Sequence, residues 1–253
     1  MRRMWGGHAR ITARMTLLCI ALLPRAHAEI GGAVALTSDD VYQGLSQTCG
    51  HPAVQADAHL TSGDSRSPEG AFLGLWGSAG LGSGSCGSSH ELDAYGGYRA
   101  ALDASVSGAL TYTHYAFPGG GPTYLDSGGR RYDYDELEST WGFRDEAFLS
   151  IGWTPDAVRY EDYRTSRDRS AFSFSLQLRR PLLDRLAVQA GAGYDQISDV
   201  YGQGFAFWSG GLQYRLSALE VDVLYVGTPH RVEQQFGSAT AGQRALASVV
   251  WRF

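Results

Sequence analysis

The sequence predicts an all-β protein, a single antiparallel transmembrane β-barrel of about 12 strands with both termini periplasmic. Three observations carry that expectation. Apolar and polar residues alternate with a period of two along most of the chain. The even connections between alternating segments are mostly tight, with only the first, "SGDSRSPEG", longer, and the odd ones include long loops. Aromatic residues gather near the segment ends, where a membrane has its interfaces.

The first 28 residues stand apart from this pattern. Arg2, Arg3, Arg10 and Arg14 precede the apolar stretch Met15 to Leu23, and Ala26, His27 and Ala28 put small residues where a signal peptidase reads. A signal peptide over 1–28, cleaved after Ala28, is expected to deliver 29–253 as a barrel to the outer membrane. About nine apolar residues cannot cross a hydrocarbon core of roughly 30 Å as a helix. Lysine is absent, and removal of the leader takes five arginines and no acid, so the formal charge moves from −5 to about −10. Such a charge argues against nucleic acid as a partner.

Strands are expected at roughly 30–47, 52–61, 70–81, 90–102, 104–116, 134–144, 146–154, 169–180, 184–196, 204–216, 218–227 and 243–253. In the eighth, Phe172, Phe174, Leu176 and Leu178 alternate with Ser173, Ser175, Gln177 and Arg179. In the ninth, Leu186, Val188, Ala190, Ala192 and Tyr194 oppose Ala187, Gln189, Gly191, Gly193 and Asp195. Leu219, Val221, Val223 and Tyr225 repeat the pattern, while the first two segments, around Val34 and Val54, alternate less cleanly. The even connections include "LDAS", "RDE", "PLLD" and "RLSA"; the odd ones include "FPGGGPTYLDSGGRRYD", "TPDAVRYEDYRTSRDR" and "TPHRVEQQFGSATAG". Short turns on one rim and long loops on the other are what an outer-membrane barrel shows. Pro52, Pro68, Pro118, Pro122, Pro155, Pro181 and Pro229 are expected at segment ends, where no ladder hydrogen bond is lost.

In lipid every backbone amide needs a partner, so a spanning sheet must close on itself. Trp153, Tyr112, Tyr194 and Tyr225 are expected near the long-loop rim, and Tyr214, Trp251 and Phe253 near the short-turn rim. The last segment, "RALASVVWRF", alternates through Trp251 to Phe253 and resembles the sorting signal that such barrels present to their assembly machinery. Outer-membrane lipid, lipopolysaccharide, that machinery and small solutes are the partners implied.

"TSDDVYQGLSQTCGHPAVQ" (Thr37 to Gln55), "LWGSAGL" around Trp76, "ELDAYGGYR" (Glu91 to Arg99) and "YTHYAFPGG" (Tyr112 to Gly120) together resemble a proteobacterial family of conserved hypothetical proteins regarded as outer-membrane porins. Gly44 to Thr48 is the most specific part. Gln43 stands where the family pattern usually has arginine, and Ala79 where asparagine often follows the Trp-x-Ser motif. The resemblance implies a barrel of porin type and carries no catalytic residues, cofactor or substrate.

The residues themselves offer little for catalysis. A lipid hydrolase would need serine, histidine and an orienting group to converge, and neither His59 nor His114 has a serine at a committing spacing. The run Gly119 to Gly121 opens no helix and reads as a loop rather than a phosphate cradle. Cys49 and Cys86 fall in the first two connections of the outward rim, in an oxidising compartment, and are expected to form a disulfide. Zinc held by Cys49, His51, Cys86 and His90 is the competing arrangement. The readings left are a narrow channel, a plugged barrel acting through its loops, and, last, a barrel enzyme on lipid. No cofactor is expected.

If the apolar set faces lipid, parity sends Asp57, Glu91, Asp93, Glu136, Glu138, Asp195, Glu220 and Asp222 inward against Arg99, Arg179, Arg215 and Arg244. Acids outnumber bases, so a pore should mildly prefer cations. Glu220 and Asp222 lie on the most cleanly alternating strand.

Overall fold

The computed structural model describes residues 28–62, 69–82, 90–118, 133–160 and 166–253, with backbone alone at 158–160 and 166–168. The strands are β1 (Ala28–Thr37), β2 (Val41–Tyr42), β3 (Leu45–Ser46), β4 (Ala53–Ser62), β5 (Gly70–Gly80), β6 (His90–Ala101) and β7 (Val106–Ala116). They continue as β8 (Tyr134–Phe143), β9 (Ala147–Tyr160), β10 (Ser166–Leu183), β11 (Leu186–Gln196), β12 (Phe205–Leu216), β13 (Leu219–Gly227) and β14 (Arg244–Arg252). All but β2 and β3 form one closed ring in which each strand runs antiparallel to its neighbours in the chain, and β14 pairs back onto β1. The expected fold is therefore observed.

Alternation explains the wall. Phe172, Phe174, Leu176 and Leu178 of β10 are exposed on the outside, while Ser173 and Ser175 between them are half-buried. The ring has no apolar centre, because its apolar residues point out and hydrocarbon is the only surrounding that suits them. Trp153, Tyr112, Tyr194 and Tyr225, like Tyr214, Trp251 and Phe253, are all exposed. Among the described residues no helix is long and apolar enough to cross a membrane.

Three expectations need correction. The first segment does not run to 47: β1 ends at Thr37, Ser38 and Asp39 bend the chain, and a hairpin of β2 and β3 follows. Its turn takes Gln43 at φ 49° and Gly44 at φ 79°, the paired left-handed residues of a tight hairpin. Next to the bend, the carboxylates of Asp39 and Asp40 take partners inside the mouth. Second, β9 and β10 extend well into the stretch read as a loop, and Pro155 and Pro181 lie within them. The ladder shifts register between Arg169 and Ala171, opposite Pro155, and again between Pro181 and Leu183. A bulge takes an amide out of the ladder, which is what a proline in a strand requires. Third, two of the long connections hold short helices, Ser198–Tyr201 and His230–Phe236.

Those helices contribute Val200 and Val232 to a compact apolar cluster among the described residues. Ala171, Ile197, Val200, Phe205, Val232 and Ala241 are buried together, with Leu45 of the hairpin and Phe236 against them. The cluster sits at the outward mouth and partly closes it. At the opposite end, the β1–β14 seam is finished by Phe253, whose amide donates to the Gly32 carbonyl at 3.0 Å while the Gly32 amide donates to the Phe253 carbonyl, also at 3.0 Å. A Cβ on Gly32 would lie 2.6 Å from the Asp57 carbonyl oxygen on β4 and 2.7 Å from the Phe253 ring, so both the neighbouring backbone and the ring over β1 require glycine. Residues 1–27, which the expected signal peptide spans, together with Cys86, Gly119 to Gly121 and 161–165 of the charged stretch, fall outside the described residues.

Candidate functional site

The inward hairpin is held by two adjacent carboxylates. Asp39 Oδ1 accepts hydrogen bonds from Ser46 Oγ at 2.6 Å and Thr48 Oγ1 at 2.8 Å. Asp39 Oδ2 meets Arg244 at 2.8 Å, and that arginine also donates to the carbonyl oxygens of Ala239 at 3.3 Å and Ala241 at 3.1 Å. Asp40 turns to the other wall, where Ser78 Oγ donates to it at 2.5 Å. Burial pushes the Asp40 carboxyl above its ordinary range, against hydrogen bonds from Ser78 and Gln55 that favour the charged form. The Ser46 amide donates to the Thr240 carbonyl at 2.7 Å, which ties the hairpin to the last long connection. The Gly44 to Thr48 motif is thus the tip and return arm of a latch across the mouth.

Beneath this latch lies a cavity of about 310 Å³ lined by Tyr42, Gln43 and Leu45 from the hairpin and by residues of β6, β8, β9, β10 and β11. Phe117 and Tyr134 form one side, and Tyr115 stacks behind Tyr134 at 4.5 Å. Glu91, Glu136 and Asp195 also line it. Glu136 is buried at 6% exposure and receives a single long hydrogen bond, 3.3 Å, from Tyr115. Asp93 is buried at 5%, beside Glu91, and its Oδ1 has no hydrogen-bond partner. Glu138 is on the same strand face as Glu136 and accepts from Thr140 at 2.8 Å.

The remaining inward charges have partners. Asp57 accepts from Tyr95 Oη at 2.5 Å and meets His59 at 2.6 Å. Glu220 is clasped by Arg215 at 2.5 Å and by Arg252 at 2.9 Å. Asp222 accepts from Gln189 at 2.7 Å and Gln213 at 3.2 Å, and Arg179 donates to Gln213 at 2.7 Å. Arg99 lies over the Phe72 ring at 5.7 Å, beside a wide vestibule of about 540 Å³ at the short-turn end. His114 pairs with Asp135 at 2.7 Å on the outer surface, so His114, like His59, is held by a carboxylate. No group of histidine, cysteine and carboxylate side chains fit for a metal is present among the described residues.

Sequence reasoning passed over Asp39, Tyr42, Tyr115 and Tyr134. The two aspartates ahead of a Gln-Gly turn were the available signal for an inward hairpin. Tyr115 and Tyr134 share one strand face with the inward acids, so parity already placed them.

A ring with an apolar exterior, a polar interior and loops folded into one mouth is an outer-membrane-type β-barrel. The chain belongs to a bacterial family of unknown function, Gcw_chp, whose family model matches residues 23–252. Comparison with curated proteins finds no match. Among solved structures, the chain is similar to the NanC porin, with 9% identity and a TM-score of 0.50 over 88% of this chain and 98% of that one. It is also similar to the KdgM porin in complex with disordered oligogalacturonate, with 8% identity and a TM-score of 0.49 over 90% of this chain and 99% of that one. An outer-membrane channel from Pseudomonas putida F1 has 13% identity and a TM-score of 0.47 over 91% of this chain and 97% of that one. At these identities the likeness is one of fold.

Proposed function

We propose that this protein is a narrow outer-membrane channel for small hydrophilic solutes, with a modest preference for cations. The observation that carries the reading is one closed ring with apolar residues exposed outside and a surplus of carboxylates inside. Fixed charge of one sign in a narrow bore concentrates the opposite ion. The reading includes export by a signal peptide cleaved after Ala28, recognition of Trp251 and Phe253 by the assembly machinery, and contact with outer-membrane lipid and lipopolysaccharide. It also includes a Cys49–Cys86 disulfide that tethers the hairpin loop from outside; two free thiols in the oxidised protein would remove that element.

Purified protein in a planar bilayer tests the function. Discrete conductance steps with a reversal potential of cation sign under a salt gradient are expected, weakening at high salt as screening shortens the reach of the charges. A heat-modifiable barrel that never conducts would replace this reading with a second one. In that case the hairpin and the apolar cluster close the mouth permanently, and the outward loops do the work as a binding surface.

A further inference from the structure

We infer that the cavity beneath the hairpin binds an alkylammonium cation, a small organic solute carrying a primary or quaternary ammonium group. The inference rests on the channel reading for the solute's route to the site; the site itself is argued from its own walls. Two kinds of surface meet there. Tyr42, Phe117 and Tyr134 turn aromatic rings to the cavity; Phe117 lies 6.2 Å from Tyr134, and Tyr42 lies 6.3 Å from the Tyr115 ring stacked behind it. Glu91, Glu136 and Asp195 turn carboxylates to the same space.

Among the described residues none of these three carboxylates forms an ion pair. The inward arginines are engaged elsewhere: Arg244 with Asp39, Arg215 with Glu220, Arg179 with Gln213. Behind Glu91, within hydrogen-bond reach of it, Asp93 keeps Oδ1 buried and unpartnered. Glu136 is buried and Glu91 and Asp195 are half-buried, and a carboxyl held there without counter-charge either bears the cost of its charge or takes up a proton, so a cation in the cavity favours the ionised form.

The walls also choose among cations and other solutes. A divalent metal needs several oxygens converging at about 2.0–2.6 Å, and the described residues hold no such group. An anionic solute would face three carboxylates. A neutral sugar would stack on the rings but leave the carboxylates as they are. An ammonium carried on a hydrocarbon body uses both surfaces at once, the ring faces through cation–π attraction and the carboxylates through charge. At about 310 Å³ the space is at the small end of ligand pockets, which suits a body of a few carbons.

The test uses the mature full chain in detergent micelles, titrated calorimetrically with choline and with 3,3-dimethyl-1-butanol, its uncharged carbon counterpart. Saturable choline binding is expected, with the alcohol weaker by about tenfold or more. Glu136→Gln and Tyr134→Leu should each weaken choline by a similar factor, Tyr134→Trp should restore it, and Arg231→Ala on the exposed outer helix should leave it unchanged. Equal binding of the two compounds overturns the assignment. So does unchanged choline affinity in Glu136→Gln and Tyr134→Leu proteins that still migrate as heat-modifiable barrels. Conductance separates the two readings: a conducting barrel that ignores choline removes this site alone, and a silent barrel that binds choline removes the channel and keeps the site.

Discussion

At the short-turn end of the lumen Glu220, 3% exposed, holds two arginines; towards the outward end Glu136, 6% exposed, holds none. Both residues reach the interior by the same alternation. The difference lies in register. Arg215 is directly opposite Glu220 across the β12–β13 ladder, so that acid meets its base across a tight turn. Glu136 is opposite Thr113, Glu91 opposite Ser78, and Asp195 opposite Phe205 and Ser173. Parity decides which charges go inside. Cross-strand neighbours decide whether they are neutralised there, which divides the lumen into a structural end and a chemically available one.

The largest expected effect concerns the structural end. Gly32→Val should drive a side chain against both the Phe253 ring and the Asp57 carbonyl, and Phe253→Glu should remove the ring alone; both should sharply reduce heat-modifiable barrel in outer-membrane fractions, whereas Arg231→Ala should not. Normal assembly in both variants would mean that the seam does not depend on this contact. Next comes the latch. Arg244→Ala leaves the Asp39 carboxylate buried and unpaired, a change of about 3–5 kcal/mol for a buried pair, and should open the hairpin to limited proteolysis and enlarge single-channel conductance. Unchanged protease resistance would mean that the Ser46 and Thr48 hydroxyls suffice.

A smaller effect compares the two ends directly. The pair Glu136→Gln, Asp195→Asn should lower cation preference in reversal-potential measurements more than Glu220→Gln, Asp222→Asn, because Glu220 is already neutralised by its arginines. The opposite order would erase the distinction between the ends. The smallest effect is on pH. The Asp40 carboxyl is raised in the folded protein, so the stability it lends is fully present below the ordinary carboxylate range and is lost as pH rises through its raised value. Hairpin protection against protease should therefore fall across that window, and Asp40→Asn should flatten the profile.

Much of the wall was legible because a period of two leaves no ambiguity about faces: Leu176 and Ser175 can be assigned from the letters alone. The Arg215 and Glu220 pairing was also legible, as the two residues flank one short turn. The latch was not. It joins Asp39 to Arg244, 205 positions apart, and no local pattern reports such a meeting. Pro155 misled for a related reason, since a bulge is a property of two strands and only one of them contains the proline.

The sequence distance between Asp39 and Arg244 also orders events in time. Their ion pair needs β1 and β14 side by side, and that pairing closes the longest loop in the ring. A sheet still open at this seam lacks the Asp39–Arg244 pair and keeps the Asp40–Ser78 contact to β5. The latch therefore gains its tie to Arg244 only with the β1–β14 pairing, so closing the ring and fastening its mouth are one event.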